Sequence, residues 1–144
     1  MQRFVMDASV ALAWFLPGQE VHARIAAKVL RLLRETDARC IVPALWHYEV
    51  GARLIRARRR GEISAPALAQ AAEDVGTLSL ETHHIGIEVS QVVELAARYN
   101  VTGYDAIYLQ LARSQAVALA TADDGQIAAG RVHGVTLLGL DVST

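Results

Sequence analysis

The sequence contains little of several residue types that would identify a class of protein. Its 144 residues include one cysteine, Cys40, so no disulfide can form within the chain and a reducing compartment is expected. No apolar run is long and uncharged enough to span a bilayer. The first residues reach Asp7 too soon for a signal peptide. We therefore expect a cytoplasmic protein with no membrane association.

A strong charge of one sign is also missing. The net charge of −1 excludes a general attraction of the whole protein to nucleic acid, although a local basic patch remains compatible with it. There is no internal repeat, and neither proline nor glycine forms a linker-like stretch. We therefore expect one domain over residues 1–144.

Apolar residues are abundant. They make up 53% of the chain and charged residues 20%, against typical values of about 45–50% and about 25%. This surplus predicts either a very complete core or an apolar surface that another chain covers, and we favour the second.

Short apolar runs alternate with amphipathic segments. Strands are predicted at residues 3–6, 40–42, 83–87, 117–120 and 135–138. Helices are predicted at 9–16, 21–35, 43–60, 65–78, 88–99 and 104–114, with one further turn at 126–129. The alternation predicts an α/β fold, a three-layer α/β/α sandwich with a short, mainly parallel central sheet.

Two aspartates follow predicted strands. Asp7 ends the first strand and Asp123 follows the fourth, so both lie where parallel sheets gather ligand chemistry, at the carboxyl ends of the strands. Asp7 could instead simply cap the next helix. The neighbouring Asp124-Gly125 pair is typical of a turn.

Two further acids lie on helices with apolar faces. Glu49 shares a face with Leu45 and Ala52, although it could also sit at the rim of that face and pair with Arg53. Asp105 belongs to the first turn of its helix, where the helix dipole favours an acid. If the four acids converge, their repulsion demands protonation or a cation, and oxygen-only ligands suit Mg²⁺ or Mn²⁺. Composition and periodicity do not establish that convergence.

Four segments in order carry a resemblance to a known family. The segments are V-M-D-A-S-V-A-L, L-W-H-Y-E-V, Y-D-A-I-Y-L-Q-L-A and A-L-A-T-A-D, followed by the closing run V-T-L-L-G-L. Their order and spacing along nearly the whole chain resemble the PIN-domain ribonucleases, and in particular the VapC-type toxins of toxin–antitoxin pairs.

The resemblance implies an acidic quartet that holds one or two Mg²⁺ or Mn²⁺ ions, formed here by Asp7, Glu49, Asp105 and Asp123. Thr121 and Ser9 would support it by hydrogen bonds, whereas Asp124 falls at a variable position. The implied function is a metal-dependent endoribonuclease that hydrolyses RNA with a metal-activated water. The implied partners are an RNA substrate, a cognate antitoxin and a second copy in a homodimer.

Weaker signals leave alternatives open. Arg53, Arg56 and Arg60 lie on one helical face and could contact RNA, or could simply complement the helix dipole at a solvated end. The histidines lack zinc-ligand spacing. A catalytically idle PIN scaffold that binds protein or RNA is the alternative function. A phosphotransferase with an aspartyl nucleophile usually has a second aspartate where Ser9 stands.

Overall fold

The computed structural model describes residues 2–139, and in them strands and helices alternate as predicted. The strands are β1 (Arg3–Met6), β2 (Arg39–Pro43), β3 (Leu80–His83), β4 (Ala118–Ala120) and β5 (Leu137–Leu138). The helices are α1 (Ala8–Phe15), α2 (Glu20–Glu35), α3 (Ala44–Arg59), α4 (Ala65–Gly76), α5 (Val89–Tyr99), α6 (Gly103–Gln115) and α7 (Asp124–His133).

The strands form one sheet in the order β3-β2-β1-β4-β5, and every pairing is parallel. Val5 in the central strand pairs with Ile41 on one side and Leu119 on the other. All carboxyl ends therefore meet at one edge. The chain winds outward from β1 to β3 and then returns to place β4 beside β1, so the order reverses between β1 and β4.

Helices cover both faces of the sheet. Phe4, Val5 and Met6 are adjacent in a strand and therefore point to alternate faces, yet none of them is exposed. Helix α6 adds Tyr108 and Leu109 to the core, and α3 adds Trp46. This two-sided burial confirms the three-layer α/β/α sandwich.

Three predicted elements differ from the observed ones. The third strand is Leu80–His83 rather than 83–87, because pairing with β2 aligns Cys40 with Leu80, and this half-buried edge position accepts polar residues. The predicted turn at 126–129 is a full helix, α7, which begins at Asp124, so Asp124 and Gly125 form its first turn. The last strand shortens to Leu137–Leu138, and Leu140 of the closing run lies outside the described residues.

Within residues 2–139, no helix has both the length and the apolar character that a membrane crossing requires.

Candidate active site

Asp7 and Asp123 flank the point where the strand order reverses. The backbone N–H of Asp7 donates to the Ala120 carbonyl over 2.9 Å, which ties the end of β1 to the end of β4. Asp7 is the N-cap of α1 and Asp123 is the N-cap of α7. In open α/β sheets, ligands bind in the crevice at this reversal. Both aspartates therefore lie at the predicted edge, the carboxyl ends of the strands, and this part of the edge is the topological switch point of the sheet.

Asp7 is a buried carboxylate, with 5% of its surface exposed. Its Oδ2 accepts from the Ser9 backbone N–H over 3.0 Å, and its Oδ1 accepts from the Gln126 side-chain amide over 3.0 Å. Burial raises the pKa of Asp7, and the charge of Asp123 raises it further, while the hydrogen bonds from Ser9 and Gln126 oppose the shift. Only Oδ2 of Asp7 therefore caps α1, and Oδ1 is bonded to a distant part of the chain.

Asp105 enters the site from the first turn of α6. Thr102 caps this helix by accepting from the Asp105 backbone N–H over 3.2 Å. A side chain at Gly103 would meet Val92 of α5 at 2.7 Å, so this glycine permits the close approach of the two helices. Burial, followed by the charges of Asp123 and Asp7, raises the pKa of Asp105 to about 6.

Glu49 reaches the same place from α3. Its Oε1 accepts from the hydroxyl of Tyr108 over 2.6 Å. Burial raises the pKa of Glu49, and the charges of Asp7 and Asp105 add to the effect. Arg53, the alternative partner on the same helix, instead lies 3.6 Å from Glu62. Glu49 therefore lies near enough to Asp7 and Asp105 for their charges to act on it, and it is hydrogen-bonded to Tyr108 rather than paired with Arg53.

Thr121 and Ser9 connect the strand ends beneath the acids. Thr121 Oγ1 accepts from the Asp123 backbone N–H over 3.0 Å, and Ser9 Oγ accepts from the Ala122 backbone N–H over 3.0 Å. The two hydroxyl oxygens are 3.5 Å apart. Asp124 is exposed. The supporting positions predicted for Thr121 and Ser9 are thus occupied by hydrogen-bonding hydroxyls.

An open cavity of about 410 Å³ lies against these acids. Three of the four carboxylates line it, together with two arginines of α3 and small or apolar residues: Asp7, Ala8, Ser9, Leu12, Glu49, Ala52, Arg53, Arg56 and Asp105. Asp123 is not among the lining residues, and its Oδ2 accepts from the Gln126 backbone N–H in the first turn of α7. Arg60 is exposed at the end of α3 and is not part of the lining.

The donor set suits a hard divalent cation. It consists of carboxylate oxygens whose charges raise one another's pKa, which is the situation that a nearby cation relieves. Among residues 2–139, however, no three or more His, Cys, Asp or Glu side chains already stand close enough to hold one ion together. Hydrogen bonds from Ser9, Gln126 and Tyr108 hold the acids individually. The chemistry of the side chains, with oxygen ligands only, thus suits a hard divalent cation, although the acids do not yet converge on one point.

Sequence reasoning missed two residues of the site. Tyr108 lies one turn after Asp105, and this spacing places both on one face of α6. Gln126 lies three residues after Asp123, a spacing typical of an N-cap and its N3 partner, and it indicates a side chain turned back towards the cap. Both are fully buried polar side chains in contact with the predicted acids.

The molecule is thus an α/β protein with an all-parallel sheet and with carboxylates near its topological switch point. The model of the PIN domain family matches residues 4–132, and the chain belongs to that family.

Solved structures agree with this fold. A protein from Pyrobaculum aerophilum, PAE2754, is 23% identical, with 89% of this chain and 84% of that one covered and a TM-score of 0.65. VapC20 of Mycobacterium tuberculosis, a toxin that cleaves the sarcin-ricin loop, is 18% identical, with 88% and 95% covered and a TM-score of 0.62. No curated protein sequence matches this chain significantly.

Proposed function

We propose that this protein is a metal-dependent endoribonuclease and the toxin of a toxin–antitoxin pair. The observation that carries the proposal is that Asp7, Glu49 and Asp105 line one open cavity, with Asp123 near enough for its charge to raise the pKa of Asp7 and Asp105. Membership of the PIN domain family supports nuclease chemistry, because PIN domains are typically nucleases. The structural likeness to the VapC20 toxin supports the toxin assignment.

Asp7, Asp105, Glu49 and Asp123 would hold Mg²⁺ or Mn²⁺ in this proposal. When bound, such an ion supplies an activated water and neutralises the phosphate. The chain's own contribution is to fix the acids on strand ends and helix starts, so that little reorganisation is needed during the reaction. Arg53 and Arg56 line the same cavity and would contact RNA phosphates. Arg60, farther along α3, would extend that path.

The proposal includes protein partners. Tyr48, Ala52 and Ile55 follow helical spacing on α3, and Ala52 lines the cavity. Tyr48 is 75% exposed and Ile55 47% exposed, so an apolar stripe runs beside the acids. Such a stripe suits contact with an antitoxin or a second copy of the chain. The molar mass in solution of the wild type and of a Y48S/I55S variant tests the homodimer.

The test is cleavage of a labelled RNA panel with Mg²⁺ or with EDTA. We expect cleavage only with the metal, and a loss of roughly 100-fold or more in Asp7→Asn and Asp105→Asn, in line with removal of a transition-state charge stabiliser. Asp124→Asn, a matched change one residue beyond Asp123, is expected to retain activity. Cleavage that survives in both site variants, or that persists in EDTA, contradicts the proposal and favours an idle scaffold with a contaminating nuclease.

A further inference from the structure

Gln126 is the one glutamine side chain in the described residues that is completely buried. It occupies the first turn of α7, where its backbone N–H donates to Asp123 Oδ2 over 2.8 Å. A buried amide is costly unless all of its polar atoms are bonded. The residue therefore has to find partners among the groups that surround it, and those groups are the acids of the proposed site.

The amide connects two carboxylates that repel each other. Its Nε2 donates to Asp7 Oδ1 over 3.0 Å and lies 3.3 Å from the Asp105 carbonyl and 3.4 Å from Asp105 Oδ1. The two protons of the NH₂ group can serve Asp7 and Asp105 at the same time. Since each carboxylate oxygen keeps a second lone pair, these bonds leave it able to bind a cation as well.

The orientation of the amide follows from its other side. Gln126 Oε1 accepts from the Thr121 hydroxyl, and that hydroxyl accepts in turn from the Asp123 backbone N–H. The reverse orientation would aim the amide carbonyl at two carboxylates. The result is a directed chain of hydrogen bonds that starts at Asp123 and ends on Asp7 and Asp105, in which each bond strengthens the next.

We infer that Gln126 is a positioning residue that fixes Asp7 and Asp105 relative to each other for binding of the divalent cation. The inference rests on the proposed function, because it assigns those acids to the metal. A neutral donor suits this place: a glutamate would add a further negative charge, and an apolar residue would leave a buried carboxylate oxygen without its donor.

The test compares Gln126→Met, which keeps the shape and removes the donor, with Gln126→Asn, which keeps the amide on a shorter side chain. Gln110→Met is the matched control, since Gln110 is a half-buried glutamine that accepts from Tyr99 over 2.8 Å and does not contact the acids. Mn²⁺ affinity is measured by calorimetry on the full chain, and thermal unfolding in EDTA reports the fold.

We expect Gln126→Met to weaken Mn²⁺ binding at least tenfold and Gln126→Asn to weaken it by a smaller factor, with Gln110→Met unchanged. In RNA cleavage, the half-saturating Mn²⁺ concentration rises in parallel, and most of kcat returns at saturating Mn²⁺. A purely structural role would lower the unfolding temperature in EDTA and leave the Mn²⁺ affinity unchanged.

Two outcomes contradict the inference in distinguishable ways. Wild-type Mn²⁺ affinity in both Gln126 variants overturns the role of Gln126 alone. A wild-type protein that binds no Mn²⁺ overturns this inference together with the proposed function.

Discussion

The pKa of the carboxylates at the switch point and the pKa of Glu81, at the edge of the same sheet, are shifted in opposite directions. At the switch point, burial raises the pKa of Asp7, and each acid there has further acids as neighbours. On β3, Glu81 is 40% exposed and lies 3.0 Å from His83 and 3.4 Å from Arg3. The hydrogen bond from His83, helped by the charge of Arg3, lowers the pKa of Glu81.

The two pKa shifts differ in direction because the hydrogen-bonding partners of the carboxylates differ in charge. Glu81 has the Arg3 guanidinium and the His83 ring as partners within the chain, so its ionised form is already stabilised. The acids of the switch point have neutral donors, namely Ser9, Gln126 and Tyr108. Neighbouring carboxylates that are hydrogen-bonded only to neutral groups are costly to ionise, and an added cation relieves that cost.

The largest expected effect is stabilisation by the cation. Mg²⁺ or Mn²⁺ should raise the free energy of unfolding at pH 7.5 by about 2.7 kcal/mol at one hundred times its Kd. Thermal unfolding with and without the ion measures it. Glu81→Gln should show the full increase, and a D7N/D105N double variant almost none. An equal increase in the double variant would mean that the ion binds elsewhere.

The next largest effect is the loss of stability when the hydrogen bond from Tyr108 to Glu49 is removed. Tyr108→Phe removes a 2.6 Å hydrogen bond to a half-buried carboxylate, and we expect a loss of about 1–2 kcal/mol in the free energy of unfolding. Tyr104→Phe, on the same helix but with a side chain 60% exposed, should cost almost nothing. Urea unfolding at neutral pH compares the two variants, and equal losses would refute the support of Glu49 by Tyr108.

A smaller effect is expected for RNA binding. The R53A/R56A variant removes the two arginines that line the cavity, whereas R58A/R59A removes the same charge from the exposed end of α3. We expect the first to weaken RNA binding several-fold and to reduce the salt slope by about 0.7 per lost phosphate contact. Binding isotherms at several salt concentrations measure this. Equal losses in both variants would indicate general charge rather than a path to the acids.

The smallest expected effect is on how stability depends on pH, where Asp105 and Glu81 should contribute with opposite signs. The pKa of Asp105, about 6, exceeds its ordinary value of 3.8, so the folded protein retains a proton between these values that the unfolded chain releases. Stability in EDTA therefore rises as pH falls from above 6 towards 4. Asp105→Asn should be slightly more stable than wild type at pH 7.5, with the difference shrinking on acidification.

Glu81 should change stability with pH in the opposite direction, because its pKa is lowered. Its lowered pKa contributes stability above its ordinary value of 4.5, and the contribution is lost as pH falls through the folded-state pKa. Glu81→Gln should therefore be slightly less stable than wild type at neutral pH and equal to it in acid. Unfolding temperatures across the pH range, in EDTA, check both signs, and a shift of the same sign in both variants would contradict the comparison.

Local chemistry made much of the fold predictable. Ser64 and Thr102 cap helices by accepting from backbone N–H groups, and the apolar spacing of α2 and α3 predicts their extents to within a few residues. The pattern misplaces the third strand because the apolar Ile85 and Ile87 favour a strand more than Glu81 and Thr82 do. Only pairing with β2 decides that register, and pairing is a long-range contact.

The class of fold, and the strand ends and helices on which the four acids lie, can be predicted from local sequence, because periodicity and residue chemistry act over a few neighbouring positions. Which side chains meet depends on the folded chain. It brings Tyr108 to Glu49 across 59 positions and Gln126 to Asp7 across 119. Whether a buried polar group has a partner depends on distant segments, so the neutral donors that hold the acids became visible only in the folded chain.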